Sequence, residues 1–388
     1  MTRAEEELSV LIPDGESHFT LPVVTCLGRT PGTKVHVLSS DRCARVRLSR
    51  YCGSFDVVPG DGGEEARQEA VIRAAGRHGV HVILPVCETG TCVLQRRRGE
   101  FEAVAALPPI PAEGGLEITS DKWRFAEFLA EHGIAHPPTL LCTMDRAFRE
   151  ALDSLGFPVL IKPRQGSGGV GIRAFEDAGA LLGFLERHPE TAGRFVVQSH
   201  IPGRDVDCSL LCRGGAILAR TIQRPVLALS HGYAPATGIE LLEHPEAAEV
   251  ARRVVAALGW DGIAHIDLRE DDRDGSVTVL EVNPRFWSSL LASHAAGVSF
   301  PRLACLSALG IVYPAPRQRP LRFLQARAAI EQAARALIRG RGASLPRLHE
   351  TTWPYLLSDP MPHLLGRVGR GPRQTGGIRR QPRRAEAA

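Results

Sequence analysis

The sequence predicts a multidomain protein of mixed α/β and α+β class. It has an N-terminal doubly wound parallel sheet, a strand-rich region after it and a basic C-terminal tail. Three observations lead to this prediction. Apolar runs alternate with helical segments before residue 90, a glycine-rich segment joins two strand-like runs near residue 165, and acidic side chains close two neighbouring apolar runs near residue 275. Strand–helix alternation is typical of a parallel sheet covered by helices.

The N-terminal region alternates strands and helices in a regular order. The predicted elements are a strand at Leu8–Pro13, a helix at His18–Leu27, strands at Lys34–Leu38 and Asp56–Pro59, a helix at Glu64–Arg77 and a strand at Val80–Val86. Ligands lie beyond the carboxyl ends of such strands, so Asp14–Ser17 and Glu88–Gly90 are candidates for contacting a substrate; purely structural turns are an equal alternative. No G-x-G-x-x-G motif occurs here, and we expect no nicotinamide cofactor.

A glycine-rich segment follows the apolar run Phe157–Ile161 and its closing residue, Lys162. Four glycines stand within six residues of this segment, and Val170 and Ile172 are expected to start the next apolar segment. Glycines let backbone N–H groups approach phosphate oxygens closely, and clustered N–H groups bind anions. The segment is not a Walker A motif, because no Gly-Lys-Ser/Thr closes it, and it is not a dinucleotide fingerprint, because it opens no helix. A plain glycine-rich hairpin is the alternative.

A polar link containing a Pro-Gly pair connects the apolar runs Phe195–Val197 and Cys208–Leu211. Such a hinge can offer main-chain groups to a purine edge, and an acid just after it can bond ribose hydroxyls. Taken alone, however, this pattern favours an ordinary strand-to-strand connection.

Acidic and amide side chains close two further apolar runs. Asp267 ends the first run, and Glu281 and Asn283 lie two residues apart in the second, where strand geometry points them to one face. The segment Glu270–Gly275 contains an Asp-Gly corner and is expected to form a hairpin turn. Two antiparallel strands would bring three hard oxygen ligands together, which favours Mg²⁺, and Arg285 adds a positive charge beside it. A surface hairpin with ordinary charges is the alternative.

In this order and spacing, the segments resemble the ATP-grasp superfamily over residues 118–310. The resemblance is closest to its carboxylate–amine ligases and to the large subunit of carbamoyl phosphate synthase. It begins at Ser120-Asp121-Lys122-Trp123-Arg124-Phe125, continues through Gly133–Thr139, and includes Asn283–Leu290 followed by Ala295–Pro301. The resemblance departs at two places: Asp267 stands where Glu or Gln is common, and Gln198-Ser199-His200 stands where Gln-Glu-aromatic is frequent.

The resemblance implies a role for each matching residue. The residues it places on the ATP phosphates are Lys122, Lys162, Gln165, Gly166, Ser167, Gly168, Gly169, Val170 and Gly171. Those it places on the nucleoside are Gln198 and His200, through main-chain groups to adenine, and Asp205, on the ribose. Those it places on one or two Mg²⁺ ions, with Mn²⁺ as an alternative metal, are Asp267, Glu281 and Asn283. Arg285 would steady the acyl phosphate or the transferring phosphoryl group.

The reaction that the resemblance implies is ADP-forming ligation. A substrate carboxylate attacks the γ-phosphate of ATP, and an amine, expected to be an amino acid or a peptide-like acceptor, then attacks the acyl phosphate. Lys162 and Arg285 are the expected catalytic residues, since they neutralise the reacting anions, and the closed glycine loop would exclude water. Further substrate-site candidates are Arg224, beside an expected lid at Gly232–Gly238, and His294 as a general base.

Three alternatives stay open at this stage. A thiol in place of the amine acceptor would serve the same ligase chemistry. A phosphotransferase or carboxylase on the same fold would also release ADP. A non-catalytic ATP-binding protein would have no need for the full set of phosphate and metal residues.

The domain prediction follows from these segments. We expect a pre-ATP-grasp domain at 1–115, an ATP-grasp domain at 116–312 with subdomains at 116–200 and 201–312, a helical extension at 313–365 and a disordered tail at 366–388. A helix at Leu321–Arg339 is predicted, and Leu345–Leu365 is expected to dock back on the ligase. The tail carries seven arginines; contact with an anionic partner is the alternative to a solvated segment.

Composition fits a globular protein of two or three domains, with 388 residues, 44% apolar and 23% charged residues and a net charge of +4. The nine cysteines form no C-x-x-C pair, so we predict free thiols rather than a zinc site. The odd count and the lack of a signal peptide lead us to expect a cytoplasmic protein. No apolar run reaches the roughly 18 residues that span a membrane, and a homodimer is the default assembly.

Overall fold

Three sheets organise the computed structural model, which describes residues 7–58, 63–166, 168–227, 236–338 and 346–365. The first sheet is parallel and N-terminal, and the other two are antiparallel. The predicted combination of α/β and α+β architecture is therefore confirmed. Within the described ranges, no helix is long and apolar enough to cross a membrane. All nine cysteines are free thiols, as predicted.

The N-terminal unit is a four-stranded parallel sheet with strand order β3-β2-β1-β4 and helices on both faces. Its elements are β1 (Leu8–Ile12), α1 (Thr20–Gly28), β2 (Thr33–Ser39), β3 (Ser54–Val57), α2 (Gly63–His78), β4 (Val82–Ile83), α3 (Glu88–Arg96) and α4 (Arg98–Glu102). Side chains alternate along β1, so that Val10 and Ile12 pack with α1 while Leu11 packs with α2. The predicted third strand begins and ends two residues earlier, and the fourth is only two residues long.

A small antiparallel sheet, ordered β5-β8-β6-β7, contains the glycine-rich segment. The elements of this region are α5 (Glu113–Ser120), α6 (Lys122–Glu131), β5 (Thr139–Leu141), α7 (Arg146–Leu155), β6 (Val159–Pro163), β7 (Arg173–Phe175), α8 (Ala178–Arg187) and β8 (Phe195–Ser199). Phe148, Leu152 and Leu155 form one apolar stripe of α7 and bury it against the sheet. The new segment expected at Val170 begins only at Arg173, and the Val170 side chain is 73% exposed.

A six-stranded antiparallel sheet, ordered β13-β12-β9-β10-β11-β14, forms the largest layer. Its elements are β9 (Gly203–Arg213), β10 (Ala216–Leu227), β11 (Gly238–Leu241), α9 (Pro245–Ala257), β12 (Gly262–Asp271), β13 (Val277–Asn283), α10 (Leu290–Ala295), α11 (Phe300–Ala308) and β14 (Leu321–Leu324). One face packs under α9 through alternate residues such as Val206, Cys208 and Leu210 on β9 and Ala264 and Ile266 on β12. The residues between them point to the opposite face.

The C-terminal segment differs from its prediction. The helix expected at Leu321–Arg339 is instead strand β14 followed by α12 (Ala326–Ile338). Strand pairing with β11 explains the difference, because it satisfies the backbone of β14 and buries Phe323 and Leu324. Two short helices follow, α13 (Trp353–Ser358) and α14 (Met361–Leu364). The segment docks on the N-terminal unit, and the tail predicted at 366–388 lies outside the described residues.

That docking is anchored by Asp359, which is 2% exposed. Its carboxylate accepts hydrogen bonds from the Ser49 hydroxyl at 2.5 Å and from the Arg50 main-chain N–H at 3.0 Å. A buried carboxylate with two donors holds the C-terminal segment in one position against the parallel sheet.

Gly262, the first residue of β12, fixes how the large sheet meets the N-terminal unit. Its φ is +84°, and a Cβ there would collide with the Pro109 carbonyl oxygen. We expect Gly262→Ala to lower the free energy of unfolding by about 2–5 kcal/mol, from backbone strain and overpacking together. Gly259→Ala is the matched control, because Gly259 also has a positive φ, +55°, but no atoms within 4 Å of such a Cβ.

Urea-induced unfolding of the two variants measures this difference. The control should lose only about 1–2 kcal/mol. Equal losses would contradict the proposed collision with Pro109.

Candidate active site

The register of three neighbouring strands builds a row of carboxylates. Asp267 on β12 pairs with Asp207 on β9 on one side and with Glu281 on β13 on the other. In the next row, His265 pairs with Ser209 and Asn283. Because α9 covers the opposite face of the sheet, both rows face away from it. The predicted hairpin is present, and its turn ends at Gly275, whose φ of +76° suits glycine.

Hydrogen bonds connect these two rows. The Asn283 amide N–H group lies 3.0 Å from Glu281 Oε1 and 3.3 Å from Asp267 Oδ2, and its Oδ1 accepts from the Arg285 guanidinium at 2.9 Å. His265 Nε2 lies 3.4 Å from Asp267 Oδ1. The predicted metal residues Asp267, Glu281 and Asn283 are thus brought into contact with one another.

Asp207 joins this group and was missed in the sequence. Its carboxylate, the His265 imidazole and the Asp267 carboxylate offer ligand atoms that lie within 4.8 Å of one another. Gln223 donates to Asp207 Oδ2 at 3.0 Å. The sequence did contain a signal for Asp207. It stands two residues after Asp205, and side-chain alternation along a strand places both residues on the same face.

Electrostatics make the row receptive to a cation. Removal from water raises the pKa of Asp267 well above its ordinary value, and repulsion from Glu281 and Asp207 adds to the shift. Removal from water likewise raises the pKa of Asp207 to about 7. The same effect on Glu281 is outweighed by the Lys122 ammonium and by hydrogen bonds with Asp267 and Asn283, so its pKa is lowered. Burial lowers the pKa of His265 to about 3, which keeps its ring neutral.

Two lysines face this row from the small sheet and its preceding helix. Lys162 stands near the end of β6, is 9% exposed and donates to the Gln198 side-chain oxygen at 2.6 Å. Burial lowers the pKa of Lys162 to about 8, although Glu281 opposes the shift. Lys122 Nζ donates to the Gly166 carbonyl at 2.7 Å and lies 3.6 Å from Glu281 Oε2. Lys122 therefore spans from the glycine-rich segment to the carboxylate row.

The position of Lys122 depends on Asp121. The Asp121 carboxylate caps α6 by accepting from the Trp123 and Arg124 N–H groups, and it pairs with the Arg164 guanidinium at 2.5–3.1 Å. The Lys122 N–H donates to the Arg164 carbonyl at 2.9 Å. These contacts tie the start of α6 to the end of β6, so both lysines are held by one network.

The glycine-rich segment Gln165–Gly171 connects β6 to β7 beside these lysines; Ser167 lies outside the described residues. Gly166, Gly168, Gly169 and Gly171 all have positive φ values. Glycine alone adopts such a succession at little cost, and it leaves the N–H groups without covering side chains.

The nucleoside candidates lie on β8 and β9 and in the link between these strands. Gln198 belongs to β8, between β5 and β6, and its side-chain oxygen accepts from Lys162. The His200 N–H is already donated to the Pro158 carbonyl at 3.0 Å. Asp205 belongs to β9 and pairs with Arg269 at 2.5 Å, with about half of its side chain exposed.

The substrate candidates separate into two groups. Arg285 lies at the carboxylate row, with its guanidinium 4.7 Å from the centre of the Phe19 ring. Arg224 instead forms a cross-strand ion pair with Glu240 at 2.8 Å. His294 is hydrogen-bonded to Ser299 at 3.1 Å and packs against a tyrosine ring, away from the carboxylates. The expected lid at 232–238 lies mostly outside the described residues.

The N-terminal candidates serve the fold. Asp14 is completely buried, and its carboxylate accepts from the Val86 N–H at 2.7 Å while Arg67 lies 3.3 Å away. Glu16 pairs with the same arginine at 2.6 Å. Asp14 connects the segments that follow β1 and β4, and Glu16 connects Arg67 with Ser40 after β2, which supports the structural alternative for Asp14–Ser17.

Comparison with known proteins agrees with this geometry. A family model described as an ATP-grasp domain matches residues 119–289. The chain contains an ATP-grasp domain. The resemblance predicted from the glycine-rich segment and the acidic hairpin is therefore confirmed.

Relatives and solved structures extend this assignment. The arginine-specific carbamoyl phosphate synthase large chain of Geobacillus stearothermophilus is 26% identical over 202 residues, which are 50% of this chain and 19% of that protein. D-alanine–D-alanine ligase A of Bacillus cereus is 28% identical over 221 residues, 50% of this chain and 69% of the ligase. The chain thus spans about a fifth of the synthase it matches.

Among solved structures, N5-carboxyaminoimidazole synthetase from Staphylococcus aureus superposes with a TM-score of 0.63 at 18% identity, covering 82% of each chain. A structure of that protein complexed with ADP gives a TM-score of 0.62. At such identities the likeness establishes the fold.

The Asp121 network gives a testable prediction. Asp121→Ala removes a helix cap and also leaves Arg164 without its partner, so we expect it to lower the free energy of unfolding by about 2–3 kcal/mol. Asp145→Ala is the matched control, because Asp145 caps α7 through Phe148 alone, at 2.8 Å. The control should cost about 1 kcal/mol.

Denaturant unfolding of both variants, together with Asp121→Asn, measures this contribution. Asparagine retains the cap acceptor but not the charge, so its loss should fall between the other two. A loss in Asp121→Ala no larger than that in Asp145→Ala would show that the Arg164 pair contributes nothing.

Proposed function

We propose that the protein is an ADP-forming ligase that activates a substrate carboxylate with ATP and joins it to an amine. The observation that carries this proposal is the approach of Lys122 to within 3.6 Å of Glu281. It brings the glycine-rich segment, two lysines and the carboxylate row to one place. The matches to carbamoyl phosphate synthase and D-alanine–D-alanine ligase support ligation as the chemistry.

The phosphate half of the site is positively charged. Lys162 and Lys122 stand on the side of the glycine-rich segment, where bare N–H groups complement phosphate oxygens. On ATP binding, Lys122 would exchange its contacts with Gly166 and Glu281 for a phosphate. Burial of Lys162 strengthens its attraction to an anion, because less water screens the charge.

The carboxylate row fits a divalent metal. Its donors are carboxylate oxygens, the type that Mg²⁺ prefers, and the Asn283 amide would add its oxygen by turning over, since its nitrogen now faces Asp267 and Glu281. Burial and, after it, repulsion from Glu281 and Asp207 raise the pKa of Asp267, and a cation would relieve that repulsion. Asp267, Glu281 and Asn283 would hold Mg²⁺, or Mn²⁺ in its place, with Asp207 beside them. When bound, the metal would neutralise phosphate charge next to the row.

Arg285 joins this row through Asn283. Asn283 and the Phe286 carbonyl accept from its guanidinium, and the Phe19 ring lies beneath it, so its direction is fixed. It would offset the repulsion between the substrate carboxylate and the triphosphate. The carboxylate oxygen then bonds to the γ-phosphorus as the bond to ADP breaks.

In the second half-reaction the amine nitrogen bonds to the acyl carbon, phosphate leaves, and the nitrogen loses a proton. A closed glycine-rich segment would keep water from hydrolysing the acyl phosphate meanwhile. His294 Nδ1 is hydrogen-bonded to Ser299 and the ring packs against Tyr355, and we assign it no part in the proton transfer.

The experiment is a product assay with purified protein, Mg-ATP, pooled carboxylates and pooled amines. We expect ADP and phosphate release that requires both pools. Glu281→Gln should reduce the rate at least about 100-fold, because it removes a charge that acts on the phosphates and metal. Glu243→Gln is the control, since that residue is exposed and pairs with Arg220 on the surface.

The products separate the alternatives. AMP release would overturn the proposal, and ADP release with bicarbonate as the acid would favour a carboxylase. ATP binding without turnover in any pool would favour a binding protein.

The pKa of Lys162 predicts how ATP affinity depends on pH. In the free protein this pKa is about 8, so the ammonium is present below that pH and lost above it. ATP binding would require the proton to return, and the Kd for ATP should therefore rise by up to about tenfold per pH unit above pH 8.

Calorimetry between pH 7 and pH 10 measures this dependence. Lys162→Arg stays charged over the whole range and should give a flatter profile. Equal profiles for the two proteins would mean that Lys162 does not contact the phosphates.

A further inference from the structure

An apolar cavity of about 370 Å³ lies between α1, β11 and the C-terminal segment. We propose that it binds the aliphatic or aromatic side chain of one of the two substrates. This inference rests on the proposed ligase function and names the substrate class that the site would accept. The volume falls in the range of small-molecule pockets, roughly 300–1,000 Å³.

The walls of the cavity are mainly hydrocarbon. They include Leu21 and Pro22 from α1, Ile239 from β11, and Phe323 and Leu356 from the C-terminal segment. Among the described residues that line it, none is acidic. A charged substrate side chain would lose its water here without gaining an opposite charge, which is costly.

Two basic lining residues, Arg327 and His363, do not change this conclusion. Burial lowers the pKa of His363, which favours its neutral ring. Arg327 lies at the rim with 92% of its side chain exposed, and it pairs with Glu331 at 2.8 Å. Its charge is therefore in water rather than in the cavity. The polar lining groups are chiefly hydroxyls and main-chain atoms, which tolerate an apolar neighbour.

A short chain of hydrogen bonds joins the cavity to the reacting centre. Ser289 lines the cavity and donates to Gln223 Oε1 at 2.8 Å, and Gln223 donates to Asp207 Oδ2 at 3.0 Å. On the other side, Phe19 lies beneath Arg285 and two residues before the lining residue Leu21. The cavity lining is thus two hydrogen bonds from Asp207, and this connection is the reason we assign the cavity to a substrate of the reacting centre.

Part of the wall comes from outside the ATP-grasp match at 119–289. Tyr355 is 8% exposed, donates to the Leu291 carbonyl at 3.3 Å and packs near Phe323. Strand β14 pairs with β11, and Asp359 anchors the segment to the N-terminal unit. The C-terminal segment is therefore held in place as a wall that the ATP-grasp region itself does not supply.

The test is calorimetric binding in the presence of Mg²⁺ and a non-hydrolysable ATP analogue. The apolar probes are both enantiomers of leucine and phenylalanine, 4-methylpentanoate and 3-methylbutylamine; the polar probes are glycine and L-aspartate. At least one apolar probe should bind about 10- to 100-fold more tightly than glycine, and aspartate should not bind. The carboxylate-only and amine-only probes identify which substrate uses the cavity.

Two neighbouring leucines provide matched variants. Leu356 lines the cavity, whereas Leu357 is 66% exposed and does not line it. Leu356→Trp should fill the cavity and abolish the preference for apolar probes, while Leu357→Trp should retain it. Leu356→Ala, which enlarges the cavity, should shift the preference toward the larger phenylalanine side chain.

The outcomes separate this inference from the ligase proposal. Selective binding of apolar probes in calorimetry, with no ADP release in the product assay with Mg-ATP and both pools, would support the cavity and contradict ligation. ADP release with only polar substrates, or an apolar preference that Leu356→Trp leaves unchanged, would overturn the cavity assignment alone. Failure of every apolar probe to bind at millimolar concentration would also overturn it.

Discussion

The register of β9, β12 and β13 places three carboxylates in one half-buried row. Burial and mutual repulsion of these carboxylates cost free energy, and the residues around the row reduce that cost. Burial raises the pKa of Asp267, and repulsion from Glu281 and Asp207 adds to the shift, whereas the Lys122 ammonium helps to lower the pKa of Glu281. Neither shift removes the excess of acid. A divalent cation and the phosphates it accompanies would do so, which is why we place the chemistry of the protein here.

The other residues of the site hold positive charge next to this row. Asp121 and Arg164 hold the start of α6 against the end of β6, and with it Lys122 and Lys162. Gln198 fixes Lys162 from within the small sheet. The C-terminal segment, in contrast, supplies part of the apolar wall of the cavity. We therefore propose that charge handling and substrate choice are divided between different parts of the chain.

Local sequence predicted the parts of the fold and site that depend on local geometry. The hairpin that presents Asp267 and Glu281 follows from alternation and an Asp-Gly corner within a short stretch. Asp207 was missed because it reaches the row only through pairing with a strand about 60 residues away. Strand β14 was missed for the same kind of reason, since apolar residues recur at roughly helical spacing over 321–339 and only pairing with β11 makes the first four residues a strand. The roles of individual residues toward ATP and metal remain predictions.

Diffraction from crystals grown with Mn²⁺ and a non-hydrolysable ATP analogue tests the central claim most directly. The account predicts an anomalous manganese peak bonded to oxygens of Asp267 and Glu281, with the terminal phosphates beside Lys162 and the glycine-rich segment. Manganese and phosphates bound elsewhere, with the Lys122–Glu281 contact unchanged, would contradict it.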